Sequence, residues 1–278
     1  MTRPRLRAPV RVALLLTALA AVPWAAPFVW MATAAFRPGL SGADDPGSLL
    51  PSGPFDLSNV TDAWQSGHFP LWYLNTVLLC AGILCVQVVT VSLAGYAFAR
   101  LRFRGRETVF AAFLLQLLLP PAVLIVPNLV MITRLGLYDS LPGIAAPYCA
   151  SAFGVFLMRQ TFRSIPRDYE DAAMVDGASR LQVIRHVLLP LARPGLAAFA
   201  VVSVTAHWNE FLWPLIATSS PAHQVLTVGL ASFTSAAEAG SDWGVIAAGT
   251  LLVAAPLLIG FALFQRQFVS SLVSTGLK

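Results

Sequence analysis

Long apolar stretches, separated by short polar joints, occupy most of this 278-residue chain. A helix needs about 20 apolar residues to cross a hydrocarbon core of about 30 Å. Six stretches meet or approach that length: roughly 12–36, 73–99, 108–133, 141–162, 191–217 and 243–264. They are continuously apolar and rich in Leu and Ala, without the period-2 alternation of a membrane barrel strand. The pattern predicts an all-α integral membrane protein with six transmembrane helices.

The polar intervals differ in kind. Residues 38–70 are rich in Pro, Gly, Ser and Asp and read as a loop. Its tail, LSNVTDAWQSGHFPLWYLNT, predicts a short interfacial helix, with Trp64, Trp72 and Tyr73 at headgroup level. Within the apolar runs, Gly95 with Ala99 and Gly244 with Ala248 set small residues four apart, a spacing that lets helix backbones approach closely. The third run contains LLLPPAVLIVP. Pro120, Pro121 and Pro127 each remove a backbone donor, so a kink or break is expected there. Such a break tolerates membrane depth only against protein or a wet cavity, either for packing or as in transporters.

Composition agrees: 57% of residues are hydrophobic and 11% charged, against about 25% charged in soluble domains. The arginines then give orientation. Arg3, Arg5, Arg7 and Arg11 precede the first run; Arg100, Arg102, Arg104 and Arg106 lie between the second and third. Arg159, Arg163, Arg167, Arg180, Arg185 and Arg193 flank or occupy the interval between the fourth and fifth, while Arg266 and Lys278 follow the last. The remaining connections hold only Arg37 and Arg134. By the positive-inside rule, both termini and the two arginine-rich intervals are cytoplasmic. The net charge of +5 is thus a topology signal with no single basic face, and no nucleic-acid partner is expected. The first apolar run exceeds a signal-peptide core, so it is read as a retained span. Cys80, Cys85 and Cys149 lie in apolar runs without metal or redox spacing.

The interval IPRDYEDAAMVDGASRLQVIRHVLLPLARP is a charged island in this apolar chain. Pro166 suits a first helical turn with Ser164 as its cap. Asp168, Glu170 and Asp171 then sit at the positive end of the helix dipole. Gly177 interrupts, and a second helix, 180–189, stops at Pro190. On it Leu181, Ile184, Val187 and Leu188 share a face. The first helix presents Ala172 and Ala173 as a flat patch ringed by acids. From the residues alone two readings stand: a helix that inserts into a groove on a soluble partner, or a solvated amphipathic loop helix.

Glu170-Asp171-Ala172-Ala173-x-x-Asp176-Gly177, nine residues, then Val187-x-Leu189-Pro190 resembles the EAA loop of ABC importer permeases. It departs from the family in Asp171, where Glu is usual, and in Val187 for Ile. Asn75-Thr76, AGYAFARLRFRGR, LGLYDS and WNEFLWPL add a likeness to the carbohydrate branch, specifically the second permease subunit of maltose-type systems, from about Asn59 onward. The resemblance implies a type I ABC importer permease fold: one permease domain over 1–278, a transmembrane core at 71–266 and a coupling loop at 165–190. It implies that Glu170, Asp171, Ala172, Ala173, Asp176, Gly177 and Pro190 couple the chain to an ATPase. The implied partners are an ABC ATPase dimer, a second, homologous permease, an extracytoplasmic solute-binding protein and the lipid of a bacterial inner membrane. The implied cargo is a sugar, an oligosaccharide or a related polyol or glycoside.

A phosphate-cradling loop of the GxxxxGK[ST] type requires a lysine, and the single lysine here is Lys278. Nucleotide hydrolysis would therefore belong to a separate subunit, with ATP and Mg bound there and no cofactor in this chain. Asn75, Gln116, Trp208, Asn209 and Glu210 are the candidates for the solute path. An ionisable group such as Glu210 costs about 2.5–3.5 kcal/mol at the bilayer centre, so it faces a cavity or a partner. Enzyme readings are weak: Ser203 and His207 lack a nucleophile elbow, and His68, His186, His207 and His223 lack metal-site spacing. No catalytic or metal-ligating residue is assigned. An ion-coupled secondary transporter would leave the island unexplained.

Overall fold

The computed structural model describes residues 8–37, 54–239 and 243–276. Among these every regular element is helical: α1 Ala8–Ala35, α2 Ser58–Ser66, α3 Phe69–Arg100, α4 Arg106–Gln116, α5 Ile125–Arg134, α6 Leu141–Ala145, α7 Ala152–Ser164, α8 Asp168–Val175, α9 Arg180–Val183, α10 Leu189–Leu191, α11 Arg193–Trp208, α12 Leu212–Ala217, α13 Leu226–Ala239 and α14 Trp243–Gly276. The chain packs as two compact units, Met1–His68 with Leu230–Leu258, and Phe69–Gly229 with Ile259–Lys278.

In the first unit the expected interfacial helix is α2, which buries Asn59 and Ala63 and leaves Trp64 exposed. Asn59 anchors it, its Nδ2 donating to the carbonyls of Ala34 (3.2 Å), in the last turn of α1, and Arg37 (3.0 Å), just beyond it. Gly244 lies against the same amide, where a Cβ would come within 2.4 Å of Nδ2.

The second unit is built around α3, 32 residues long, about 48 Å at 1.5 Å per residue. Near its Arg100 end a core of Val91, Tyr96, Phe98, Phe110, Met158, Phe162, Leu188 and Phe199 joins α3 to α4, α7 and α11. Gly95 makes this possible: a Cβ there would stand 2.6 Å from Met158 Cβ. Near the Phe69 end a second core gathers Leu79, Ile83, Ile132, Ile144, Trp213 and Ala217.

Three of the predicted runs are broken helices. The third bends by 101° between α4 and the Pro121–Arg134 segment, at extended Pro120 and a 3-10 turn over Pro121–Leu124. This is the break the prolines foretold. The fourth bends by 48°. The break there lies near Pro147, before Ser151 Oγ caps α7 by accepting from Gly154 N at 3.1 Å. Carbonyls at that break are met by side chains: Trp213 Nε1 donates to Ile144 O (3.0 Å), Gln87 Nε2 to Tyr148 O (2.7 Å) and Thr90 Oγ1 to Cys149 O (2.9 Å). A backbone break inside lipid needs such partners. The fifth bends by 79° between Arg180–Leu191 and Arg193–Trp208, at the start of α11, and its helix then ends at Trp208 and resumes at Leu212. By length and composition, two uninterrupted helices among the described residues reach a span, and three bent pairs pass as broken ones.

Candidate functional site: an exposed acidic helix and two polar cavities

The island folds as α8, a left-handed turn and a bent helical arm. Its first helix starts later than expected. Ser164 belongs to the last turn of α7, its Oγ donating to Thr161 O (2.8 Å), and Arg167 takes the N-cap position, its carbonyl receiving the N–H groups of Glu170 and Asp171. Ile165, extended at φ −81° and ψ 127°, separates α7 from α8. At the other end Gly177 adopts φ +86°, a conformation that costs a residue bearing a Cβ about 1–2 kcal/mol.

The starting point fixes which side chains face inward. Glu170 and Ala173, three apart, share the inner face. Glu170 is buried and pairs with Arg100 at the end of α3, and Ala173 packs on the core beneath. Glu170 is therefore not part of an exposed acidic ring, which corrects the expectation from sequence. Asp168, Asp171 and Asp176 are exposed with Ala172. Tyr169, Met174 and Val175 are exposed too, so the outer surface is an apolar patch rimmed by three carboxylates. The sequence reading missed its apolar part; the spacing of Tyr169, Ala172 and Val175, three apart on one face, was the available signal.

The arm beyond Gly177 also departs from expectation. Ser179 caps it in a capping box with Gln182. The helix does not stop at Pro190: a π-turn at Ile184–Leu188 carries the chain into α10, which contains that proline. Proline lacks the N–H for a normal helical bond and crowds the carbonyl four residues earlier, and the wider turn relieves both demands. It also rotates the face, so that Val183, Ile184 and Leu188 are buried while Leu181 is exposed.

Two arginines read as topology signals prove structurally committed. Arg100 Nη2 donates to Ile165 O at 2.6 Å besides pairing with Glu170. Arg159 is buried, donating to Phe98 O (3.3 Å) and to both carboxylate oxygens of Glu107 (2.9 and 2.8 Å), with its guanidinium 3.9 Å from the Phe110 ring centroid.

The solute-path candidates divide. Gln116 and Glu210 line one cavity of about 200 Å³ together with Asn128, Tyr148 and Trp213. A second cavity, of about 280 Å³, shares Gln116 and Tyr148 and adds Gln87, Ser203 and His207. Ser203 Oγ donates to Gln87 Oε1 at 2.6 Å, so these polar groups form a network across α3, α11 and the break before α7. The structure does not bring Asn75, Trp208 or Asn209 to either cavity. Asn75 ties a loop, donating to Ala222 O and Gln224 O (both 2.9 Å); Trp208 is buried near Tyr73; and Asn209 ends α11, donating to Thr205 O (2.8 Å).

Beyond the Phe69-end core, Asp139 in LGLYDS takes a left-handed φ of 56°. It accepts from Ser219 N (2.9 Å), Ser220 N (3.0 Å) and Ser220 Oγ (3.1 Å). Backbone donation from Ser220, then from Ser219, lowers its pKa to about 2.

Residues 91–272 match the family model described as "Binding-protein-dependent transport system inner membrane component". The diacetylchitobiose uptake system permease protein NgcG of Streptomyces coelicolor is 31% identical over 258 residues, covering 90% of this chain and 82% of that one. The sn-glycerol-3-phosphate transport system permease protein UgpE of Yersinia pestis is 33% identical, covering 83% and 84%. The trehalose transport system permease protein SugB of Mycobacterium tuberculosis is 31% identical, covering 91% and 92%. Among solved structures, a chain of a bacterial ABC transporter involved in the import of the acidic polysaccharide alginate superposes with a TM-score of 0.81 at 24% identity, over 95% of this chain and 99% of that one.

Proposed function

Because the chain belongs to the family of binding-protein-dependent transport system inner membrane components, we propose that it is the permease subunit of an ATP-driven importer for a sugar or short oligosaccharide. The observation that carries the reading is α8, an exposed helix between two backbone joints whose outer face is small, apolar and rimmed by Asp168, Asp171 and Asp176. Such a face suits a groove on a soluble ATPase. The coupling loop is residues 165–190, and the transmembrane core runs over 71–266. Asp171 makes the main acidic contact, since the Glu170 side chain is turned inward.

Six spans are proposed: α1, α3, the broken pairs α4–α5 and α6–α7, α11 with α12, and α14. Both termini and the Arg100 end of α3 lie in the cytoplasm. The clustering of Arg100, Arg102, Arg104 and Arg106 with the arginines of the island in sequence supports this. Hydrolysis belongs to a separate ATPase dimer that binds ATP and Mg, since a P-loop needs a lysine that this chain has only at Lys278. A second permease completes the pathway, and an extracytoplasmic binding protein delivers the solute. ATP-driven closure of the ATPase moves α8, and the coupling equals the difference in docking free energy between the inward and outward states.

The cavities beside Tyr148 support the solute class. Gln116, Asn128 and Glu210 offer donors and acceptors, and Tyr148 and Trp213 offer rings, the mixture that a polyhydroxylated solute takes up. A different polar solute, such as a polyol phosphate, is the second reading, favoured by the likeness to the sn-glycerol-3-phosphate permease. The test is reconstitution with the ATPase, second permease and binding protein, using labelled diacetylchitobiose, trehalose and sn-glycerol 3-phosphate. Asp171→Arg and Gly177→Pro are expected to abolish solute-stimulated hydrolysis and uptake. Wild-type rates in both variants would end the docking reading.

A further inference from the structure

α8 poses a mechanical problem. An extended residue joins it to α7 and a left-handed glycine joins it to α9. Neither joint continues a helical hydrogen-bond ladder. A push on the outer face would swing α8 about these joints unless something on its inner face holds it.

Arg100 and Glu170 supply that hold. Their side chains are 8% and 7% exposed, whereas the pairs Arg106–Glu107, Arg159–Glu107 and His223–Asp139 each have at least one partner well exposed. Arg100 grips two places at once: its Nε meets the Glu170 carboxylate on α8, and its Nη2 donates to the carbonyl of Ile165 in the joint itself. A planar guanidinium with donors on separate nitrogens does this; a lysine ammonium, a single point of charge, does not reproduce it. Arg100 is also the last residue of α3, the longest helix of its unit. Near the opposite end of α3, Asn75 donates to Ala222 O and Gln224 O, and Thr76 Oγ1 accepts from Leu226 N (2.8 Å).

We infer that the Arg100–Glu170 pair is a coupling strut, which locks α8 to α3 so that a displacement of α8 tilts α3 as one rod and reaches the loop at 222–226. Glu170 and Arg100 are positioning residues here; the contact with the soluble partner belongs to Asp171 and the exposed patch. The inference rests on the docking reading of α8.

The test uses the assembled complex with spin labels at Arg167→Cys, exposed at the N-cap of α8 and outside the docking patch, and Val89→Cys, on an exposed part of α3. Cys80, Cys85 and Cys149 are replaced by alanine, and the label separation is compared without nucleotide and after trapping with ATP, magnesium and vanadate. With the native pair, one narrow separation is expected in both states. Glu170→Gln and Arg100→Lys are expected to retain the ATPase subunit, yet to shift or broaden the separation on trapping and to lower solute transported per ATP hydrolysed several-fold. The reciprocal exchange Arg100→Glu with Glu170→Arg, which keeps the buried charge pair but loses the donor to Ile165 O, is expected to narrow the distribution relative to either single reversal, and it carries the test if a single variant fails to assemble. A native separation that changes on trapping, or variants whose separation and transport ratio match the wild type, would overturn the strut. Loss of the ATPase subunit from Glu170→Gln alone would assign Glu170 to docking and overturn it as well. Retention of that subunit by Asp171→Arg would instead overturn the docking reading beneath it.

Discussion

Gly95 offers a clean test of how α3 and α7 are held together. A Cβ at this position would stand 2.6 Å from Met158 Cβ, 3.1 Å from Met158 C and 3.2 Å from Arg159 N. Ordinary contact begins at 3.4 Å, and two of the three atoms are backbone, so no side-chain rotation clears the clash. The helices must separate locally by about 0.8 Å, the difference between 3.4 and 2.6 Å. That movement loosens Phe162 and Val91, fully buried nearby, and strains the bond from Arg159 Nε to Phe98 O. Overpacking of this kind costs about 1–3 kcal/mol, while replacing glycine by alanine in a helix returns about 1 kcal/mol. Gly95→Ala is thus expected to cost up to about 2 kcal/mol, and Gly95→Val more. Gly82, on the same helix with nothing within 4 Å of its added Cβ, is the control: Gly82→Ala gains the propensity term without the clash. Thermal unfolding of the purified protein in detergent measures both, at about 2–4 °C per kcal/mol for a chain of this size. Equal melting temperatures for Gly95→Ala and Gly82→Ala would refute the close-packing argument.

Three further expectations follow from described contacts. The Asp139 carboxyl titrates at about 2 rather than 3.8, so the stability it adds is fully present above about pH 4 and is lost as pH falls through about 2; Asp139→Asn should flatten the melting curve's pH dependence in that window, and an unchanged dependence would rule the clamp out. Gln87→Leu strands Ser203 Oγ and Tyr148 O, each worth about 1–3 kcal/mol when a buried group loses its partner, and a melting temperature at the wild-type value would contradict the network. Glu107→Ala should destabilise more than Arg159→Met, because the first leaves a buried guanidinium unpaired while the second leaves a solvated carboxylate; the reverse order on the same thermal scale would be decisive against it.

Much of the fold was legible because lipid imposes blunt requirements. Apolar length marked the positions of the long helices, and Pro120 with Pro121 marked the sharpest break. The spacing from Asp171 to Pro190 was enough to identify the family. What stayed hidden depended on helix phase and on distant partners. With a start near Pro166 rather than Asp168, the inward face of α8 cannot be assigned, and nothing local says that Glu170 meets Arg100. The π-turn turned Leu181 outward, because a periodicity argument assumes 3.6 residues per turn throughout. At the polar cavities, Gln116 and Glu210 were visible as costly residues in apolar runs. Asn75 had the same signature yet ties a loop, since composition cannot tell an intramolecular hydrogen bond from a lining group.

The carbonyls at the break before α7 have an implication for biogenesis. A nascent chain emerges from its N-terminus, so Gln87 and Thr90 are made before Tyr148 and Cys149, the residues whose carbonyls they serve. Trp213, which serves Ile144, is made afterwards. Two of the three acceptors can thus be satisfied as soon as the fourth apolar segment arrives, and the third must wait for the fifth. The interval between them is a stage at which Ile144 O still lacks the donor that Trp213 supplies, so the last of these three contacts closes only when the fifth apolar segment is in place.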